Sequence, residues 1–453
     1  MGKVTKNTLN VLIANIVQLL TGIIVTFIVP RIVSVNNYSA IKTYTLYTDY
    51  IGIFSLGFYD GIYLKYGGKS RTEISPAVVR MEYSTFLVSQ LLMSLMVGTI
   101  SIFLKNEIIA FCALSIVPTN IFTFYKRFHV AIGEFKQYTR EMLVYSFTYM
   151  LGNCVLALFL RINLASPYCL CAIVANLFAV IYNFYVNKMP INIMYKVKVG
   201  LFKENIGLGW LVLFGNIAVN AIYGIDRWFV KAFYNVKCFA VYSFAVSMLN
   251  IVMVLVQSVA LSLYNYIADD KNTNKIILAK KVLLGIGGLS SGGYFLLYYI
   301  INWGLPQYVD SLSIISISFI SYPYMIVINS VFLNLYKAEQ KNKKYIRSVI
   351  FMLILSILLN CAAVYLSSDI RFIAVATTLS FIIWFVFCNY DFGMQYFEVS
   401  DLTFLFAVGI SFVGCNFIPS KIVGMLIYSI AWCIFAQMFG ILNTIVRLLV
   451  NKK

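Results

Sequence analysis

Charge is scarce in this chain: Asp, Glu, Lys and Arg together make up 11% of 453 residues, against about 25% in soluble globular domains. Too few charges are present to cover a water-facing surface, which excludes an ordinary soluble protein. Histidine is scarcer still, His129 being the only one. No second imidazole, thiol or carboxylate stands at ligand spacing from it, so an exposed place in a basic loop beside Lys126 and Arg127 is expected rather than a metal centre. The nine cysteines show no ligand or redox spacing beyond the C-x-C of Cys169 and Cys171, and read as reduced packing residues. Also missing are a phosphate-gripping P-loop and any nucleophile, base and orienter set on a loop, which argues against an ATPase or a glycosyltransferase. GIGGLSSGG at Gly285 to Gly293 lies inside an apolar segment rather than after a strand, so close helix packing is its reading.

What is abundant is apolar sequence, at 61% of residues with a mean hydropathy of +0.84. The formal charge of +18 does not indicate nucleic acid, because the basic residues sit in short clusters between apolar runs of about 20 residues, as loops beside a membrane do. An all-α polytopic membrane protein follows. Fourteen spans are expected, at 8–30, 39–63, 79–104, 108–128, 139–161, 167–187, 205–230, 239–263, 278–301, 312–336, 345–366, 371–393, 401–418 and 421–446. Counting alternate loops from the amino end, 26 of the 35 Lys and Arg fall on one side, which places both termini in the cytoplasm. The amino end carries Lys3 and Lys6 before an apolar segment without a small-residue cleavage site, and reads as an uncleaved first span.

Within the second expected span, Lys42, Asp49 and Asp60 share one helical face, with Thr45 a turn from the first two. Ionised side chains facing lipid cost roughly 2.5 to 3.5 kcal/mol each, so such a stripe should border water or other helices. Similar polar stripes run through the first span (Asn15, Gln18, Gly22, Thr26), the seventh (Asn216, Asn220, Tyr223, Arg227) and the eighth (Ser243, Ser247, Asn250, Gln257). At an offset of 201, Asn15 aligns with Asn216, and Lys42 and Asp49 with Ser243 and Asn250. At an offset of 207, AIGEFKQYTR from Ala131 repeats as AEQKNKKYIR from Ala338, sharing A-x4-K-x-Y-x-R. These matches imply a parallel six-span duplication over 1–200 and 201–397, with two spans and a short tail appended at 398–453. Two repeated bundles around a shared wetted cavity suit alternating access.

FSLGFYDGIYLKYGGK at Phe54 to Lys69, AIGEFKQY at Ala131 to Tyr138, IDRWFVKAFY at Ile225 to Tyr234 and LPQYVD at Leu305 to Asp310 resemble the polysaccharide-biosynthesis flippases. These are the Wzx-type members of the multidrug, oligosaccharidyl-lipid and polysaccharide exporter superfamily. The resemblance implies two six-helix lobes around a central cavity in the bacterial cytoplasmic membrane. It also implies a substrate of undecaprenyl-pyrophosphate-linked oligosaccharide repeat units, moved to the outer leaflet for O-antigen, capsule or exopolysaccharide. Polysaccharide polymerase and chain-length machinery would be its partners, together with the bilayer. By analogy with the related lipid II flippases, the two appended spans would form a groove for the lipid tail.

An anionic, hydroxyl-rich headgroup needs cations with amide and hydroxyl donors, shielded from lipid. The stripes supply Lys42 and Arg227 with Asn15, Gln18, Thr26, Asn216, Asn220, Asn250 and Gln257. Asp49 reads either as a carboxylate paired with a neighbouring helix or as a coupling group or sugar contact. Arg31 reads either as an interface anchor or as a cavity cation, and Asp226 with Arg227 either as a local charge pair or as a gate contact. Asp60 and Asp391 lie toward the cytoplasmic interface, where solvated helix ends are the reading, with a cavity role as the alternative for Asp60. No cofactor is expected; a proton, a sodium ion or the membrane potential are the candidate couplings. Two other functions stay open: a cation-coupled multidrug exporter, which would want a carboxylate in the first span, and a membrane polymerase or ligase, which would want a large outer loop.

Overall fold

The computed structural model describes residues 3–187, 197–268, 273–339 and 341–444, and their side chains except at 3–10, 187, 254–268, 337, 338 and 342. The described residues are helical, without strands, and divide into two compact units, Met1–Ala221 and Ile222–Lys453. Among them, twelve helices are long and apolar enough to cross a membrane, and a bent pair makes a thirteenth. This is a multi-pass membrane protein.

The first unit contains α1 (Lys3–Ile32), α2 (Val35–Thr48), α3 (Phe58–Tyr66), α4 (Pro76–Leu104), α5 (Glu107–Ala131), α6 (Phe135–Cys154), α7 (Ala165–Asn187) and α8 (Val199–Ile222, whose last residue opens the second unit). The continuous helix expected over 39–63 does not form. After α2 the chain makes a short 3-10 turn over Ile51–Ser55, then Leu56 (φ 53°) and Gly57 (φ 88°) adopt the left-handed conformation that ends a helix. Glycine at 57 is needed twice over, because a Cβ there would also lie 2.7 Å from the backbone of Gly209. One turn on, a Cβ at Gly61 would fall 1.9 Å from the carbonyl oxygen of Asn205. So α3 crosses α8 backbone against backbone, as small residues allow in membrane helices.

The break rotates Asp60 off the stripe of Lys42 and Asp49. Asp60 is buried and faces Arg127 of α5 at 3.4 Å, so its reading as a solvated end is corrected. A buried carboxylate needs such a partner. Nearby, Glu82 is fully buried, taking Lys65 at 2.9 Å, the Tyr66 hydroxyl at 2.7 Å and the Asn205 amide at 3.2 Å. Between these polar contacts lies an aromatic core joining α3, α4 and α5, with Phe58 stacked on Phe86 at 4.8 Å and Phe86 on Phe124 at 5.8 Å.

His129 is not in a loop either. It closes α5, is fully buried between the rings of Tyr125 and Phe128, and pairs with buried Glu141 of α6 at 3.3 Å. The apolar run of α5 simply continues through KRFHVA, with Arg127 turned to Asp60 and His129 to Glu141.

The second unit contains α9 (Ile225–Phe233), α10 (Val236–Ala268), α11 (Thr273–Ser291), α12 (Gly293–Gly304), α13 (Ser311–Phe319), α14 (Tyr322–Val327), α15 (Leu333–Ala338), α16 (Asn342–Leu366), α17 (Arg371–Asp391), α18 (Val399–Asn416) and α19 (Lys421–Met438). The helix expected over 205–230 is interrupted at Tyr223 and Gly224, so Asn216 and Asn220 sit on α8 whereas Asp226 and Arg227 sit on α9. The segment expected over 312–336 bends by 54° between Phe319 and Tyr322. Asp391 is buried against the Tyr336 hydroxyl, at 2.9 Å, and Arg347, which corrects its reading as a solvated end.

The glycine run of α11 packs closely, as expected. Gly287 meets Pro323, Gly288 meets Val408 and Trp432, and the Trp432 indole donates to the Gly285 carbonyl at 3.0 Å. The Tyr428 hydroxyl donates to the Gly288 carbonyl, and Lys280 is buried in an ion pair with Asp401. α18 and α19 are thereby seated on α11.

Candidate functional site

In the first unit, helices α1, α2, α5, α6 and α7 enclose a cavity of about 360 Å³. That lies within the usual range for small-molecule sites, roughly 300 to 1,000 Å³. Six residues of the polar stripes read from sequence stand on its walls: Gln18, Gly22 and Thr26 of α1, Lys42 and Thr45 of α2, and Asp49 at the end of α2. They meet because α1 and α2 each keep helical period over this stretch, so residues three, four or seven apart point the same way.

The ammonium of Lys42 lies over the Tyr38 ring, 5.2 Å from its centroid, a cation–π contact. Asp49 follows the last turn of α2, where the helix dipole is negative. A carboxylate there is electrostatically disfavoured by its own helix. Lys126, a turn from the end of α5, supplies a second ammonium to the cavity and rests over the Phe122 ring at 4.6 Å. The remaining wall comes from α6 and α7 and is rich in tyrosine and asparagine: Tyr145, Tyr149, Asn153, Tyr168 and Asn176.

Other expected residues lie elsewhere. Asn15, half-buried on α1, and Arg31, exposed at its last turn, are not on the cavity wall. Asp60 belongs to the ion pair with Arg127. Asn216 and Asn220 are exposed on α8, and the Asn220 amide donates to the Asp49 carbonyl at 3.4 Å. In the second unit, Asp226 is buried, accepting from the Tyr242 hydroxyl at 2.9 Å and the Arg227 backbone at 2.7 Å, a local helix-start arrangement. Arg227 is half-buried and Asn250 exposed. Gln257 lies outside the described side chains.

Sequence reasoning misses Lys126 and the α6 wall. A basic pair usually ends a span, which puts Lys126 in a loop when only hydropathy is read. The signal for α6 is present: Met142, Tyr145, Tyr149 and Asn153 recur every three or four residues, a helical stripe. Two of its members are tyrosines, which a search weighted toward charges and amides passes over.

No family model matches this chain, and no curated protein matches its sequence. Solved structures do. "Lipid II flippase MurJ, inward closed conformation" superposes with a TM-score of 0.66 over 96% of this chain and 99% of that one, at 16% identity. A mutant form of the Vibrio cholerae MATE transporter VcmN gives 0.57 over 87% of this chain and 98% of that one, at 10% identity. An inward-facing multidrug resistance MATE family transporter of the MOP superfamily gives 0.57 over 84% and 95%, at 11% identity. The fold is therefore the one that MurJ and the MATE transporters share.

Proposed function

We propose that this protein is a flippase for polyprenyl-pyrophosphate-linked oligosaccharides, carrying repeat units of a surface polysaccharide across the bacterial cytoplasmic membrane by alternating access. The observation that carries this reading is the cavity of the first unit, whose walls combine two ammonium groups, one carboxylate and several amides and hydroxyls in a fold shared with a lipid II flippase. An anionic, hydroxylated headgroup finds charge-assisted donors in Lys42 and Lys126, and hydrogen-bonding partners for its hydroxyls in Gln18, Thr45 and Asn176. In this reading both termini are cytoplasmic, and the delivered units feed a polymerase and its chain-length machinery.

Deleting the gene is expected to stop surface polysaccharide while lipid-linked repeat units accumulate on the inner leaflet. The MATE likeness favours a second reading, cation-coupled drug export. Normal polysaccharide with new drug sensitivity in the deletion strain would establish that reading instead.

Coupling to an ion gradient, in this proposal, runs through Asp49, the carboxylate on the cavity wall. In liposomes with an imposed proton or sodium gradient, Asp49→Asn should abolish the acceleration that the gradient gives while sparing exchange without a gradient. Acceleration retained in Asp49→Asn places coupling elsewhere.

A further inference from the structure

We infer that Tyr145 and Tyr149 form a stacking ledge for a sugar ring, making the α6 wall the subsite that recognises the saccharide rather than the phosphate part of the headgroup. The inference rests on the flippase reading and adds to it the residues that read the sugar.

The two tyrosines stand one helical turn apart on α6 and both line the cavity. Their rings are nearly parallel, 4° apart in plane, with centroids 6.0 Å apart. Phe122 of α5, buried and also on the cavity wall, packs against Tyr145 at 5.6 Å, so the ledge is braced by a neighbouring helix. Both tyrosines are only half-buried and stand on the cavity wall.

A pyranose is amphipathic in a specific way. Its hydroxyls point outward around the ring edge, and its axial C–H bonds form one or two apolar faces. A site for it needs a flat apolar surface on one side and polar groups around the perimeter. Here the ledge supplies the surface. Asn153 one turn further along α6, Asn176 of α7, Thr45 and Asp49 supply the perimeter.

A lipid tail suits this cavity poorly, since its walls carry three charged side chains. A planar cationic drug would stack on tyrosine too, but it would meet Lys42 and Lys126 against a single carboxylate. A neutral or acidic sugar incurs no such repulsion.

The test is translocation in liposomes containing the purified protein, with two probes: undecaprenyl pyrophosphate carrying one N-acetylhexosamine, and the same lipid without sugar. Tyr145→Leu and Tyr149→Leu should each slow the sugar-bearing lipid about five- to tenfold, the worth of one aromatic contact, and leave the sugarless lipid unchanged. Tyr145→Phe and Tyr149→Phe, which keep the ring, should restore the rate. Equal slowing of both probes, or a lowered melting temperature in every slowed variant, would make the ledge a packing element and overturn the inference.

Should the unaltered protein move neither lipid, the flippase reading fails by itself. The ledge is then decided by saturation-transfer NMR with free N,N′-diacetylchitobiose on the detergent-solubilised protein. Saturation on the ring C–H protons that disappears in Tyr149→Leu upholds it; none in the unaltered protein overturns it.

Discussion

Gly22→Leu is expected to reduce translocation at least about tenfold, equivalent to about 1.4 kcal/mol in the barrier, in a protein no less stable than before. Gly22 lines the cavity from α1, and a Cβ built there has nothing within 4 Å. A leucine side chain therefore enters open cavity space rather than a packed interface. In the helix itself the exchange is favourable, since glycine costs up to about 1 kcal/mol relative to good helix formers. Most inactivating substitutions lower stability and activity together; this one should separate them. Gly215→Leu on α8 is the matching control, open in the same way but not on the cavity wall. The two variants would be compared by melting temperature in detergent and by flipping rate in liposomes. Full transport by Gly22→Leu would remove this cavity from the substrate's route.

Gly61→Val is expected to prevent the first unit from folding. Its Cβ would sit 1.9 Å from the Asn205 carbonyl oxygen and 2.7 Å from the carbonyl carbon. Both are backbone atoms of α8, so no side chain can turn aside, and relief requires prising α3 from α8. That would also pull Asn205 and Glu204 from the Lys65–Glu82 cluster. A loss above about 4 kcal/mol is expected, in the range reserved for overpacking together with broken buried networks. The readout is the yield of monodisperse protein by size-exclusion chromatography. Gly207→Ala, two residues from Gly209 with nothing within 4 Å of its Cβ, should behave normally or gain slightly. If Gly61→Val elutes like the unaltered protein, the backbone contact between α3 and α8 does not exist as described.

The positions of the spans were legible because twenty apolar residues in a row leave little choice of structure, and hydropathy needs no tertiary information to find them. The breaks inside them were not. A left-handed residue at Leu56 changes the direction of the chain without changing its hydropathy, so FSLGFYDG reads like uninterrupted helix. The same blindness hid the interruption at Tyr223 and Gly224 and the bend after Phe319.

For the cavity, the half on α1 and α2 was found and the half on α6 was not. Charges and amides in an apolar run are conspicuous, whereas tyrosine belongs equally to packed cores and to membrane interfaces. His129 was misplaced for a related reason. Its burial depends on Glu141, twelve residues later on another helix, a pairing that no local pattern announces.

The seating of α18 and α19 bears on how their motion would be read. Withdrawing Asp401 from Lys280 would strand a buried ammonium, a penalty of about 3 to 5 kcal/mol, and would also strip the indole of Trp432 from its carbonyl acceptor. The pair formed by α18 and α19 therefore travels as a passenger of α11. A fluorophore attached near the exposed Met438 end of α19 would report displacements of α11 itself, giving an external handle on a helix that is otherwise half enclosed.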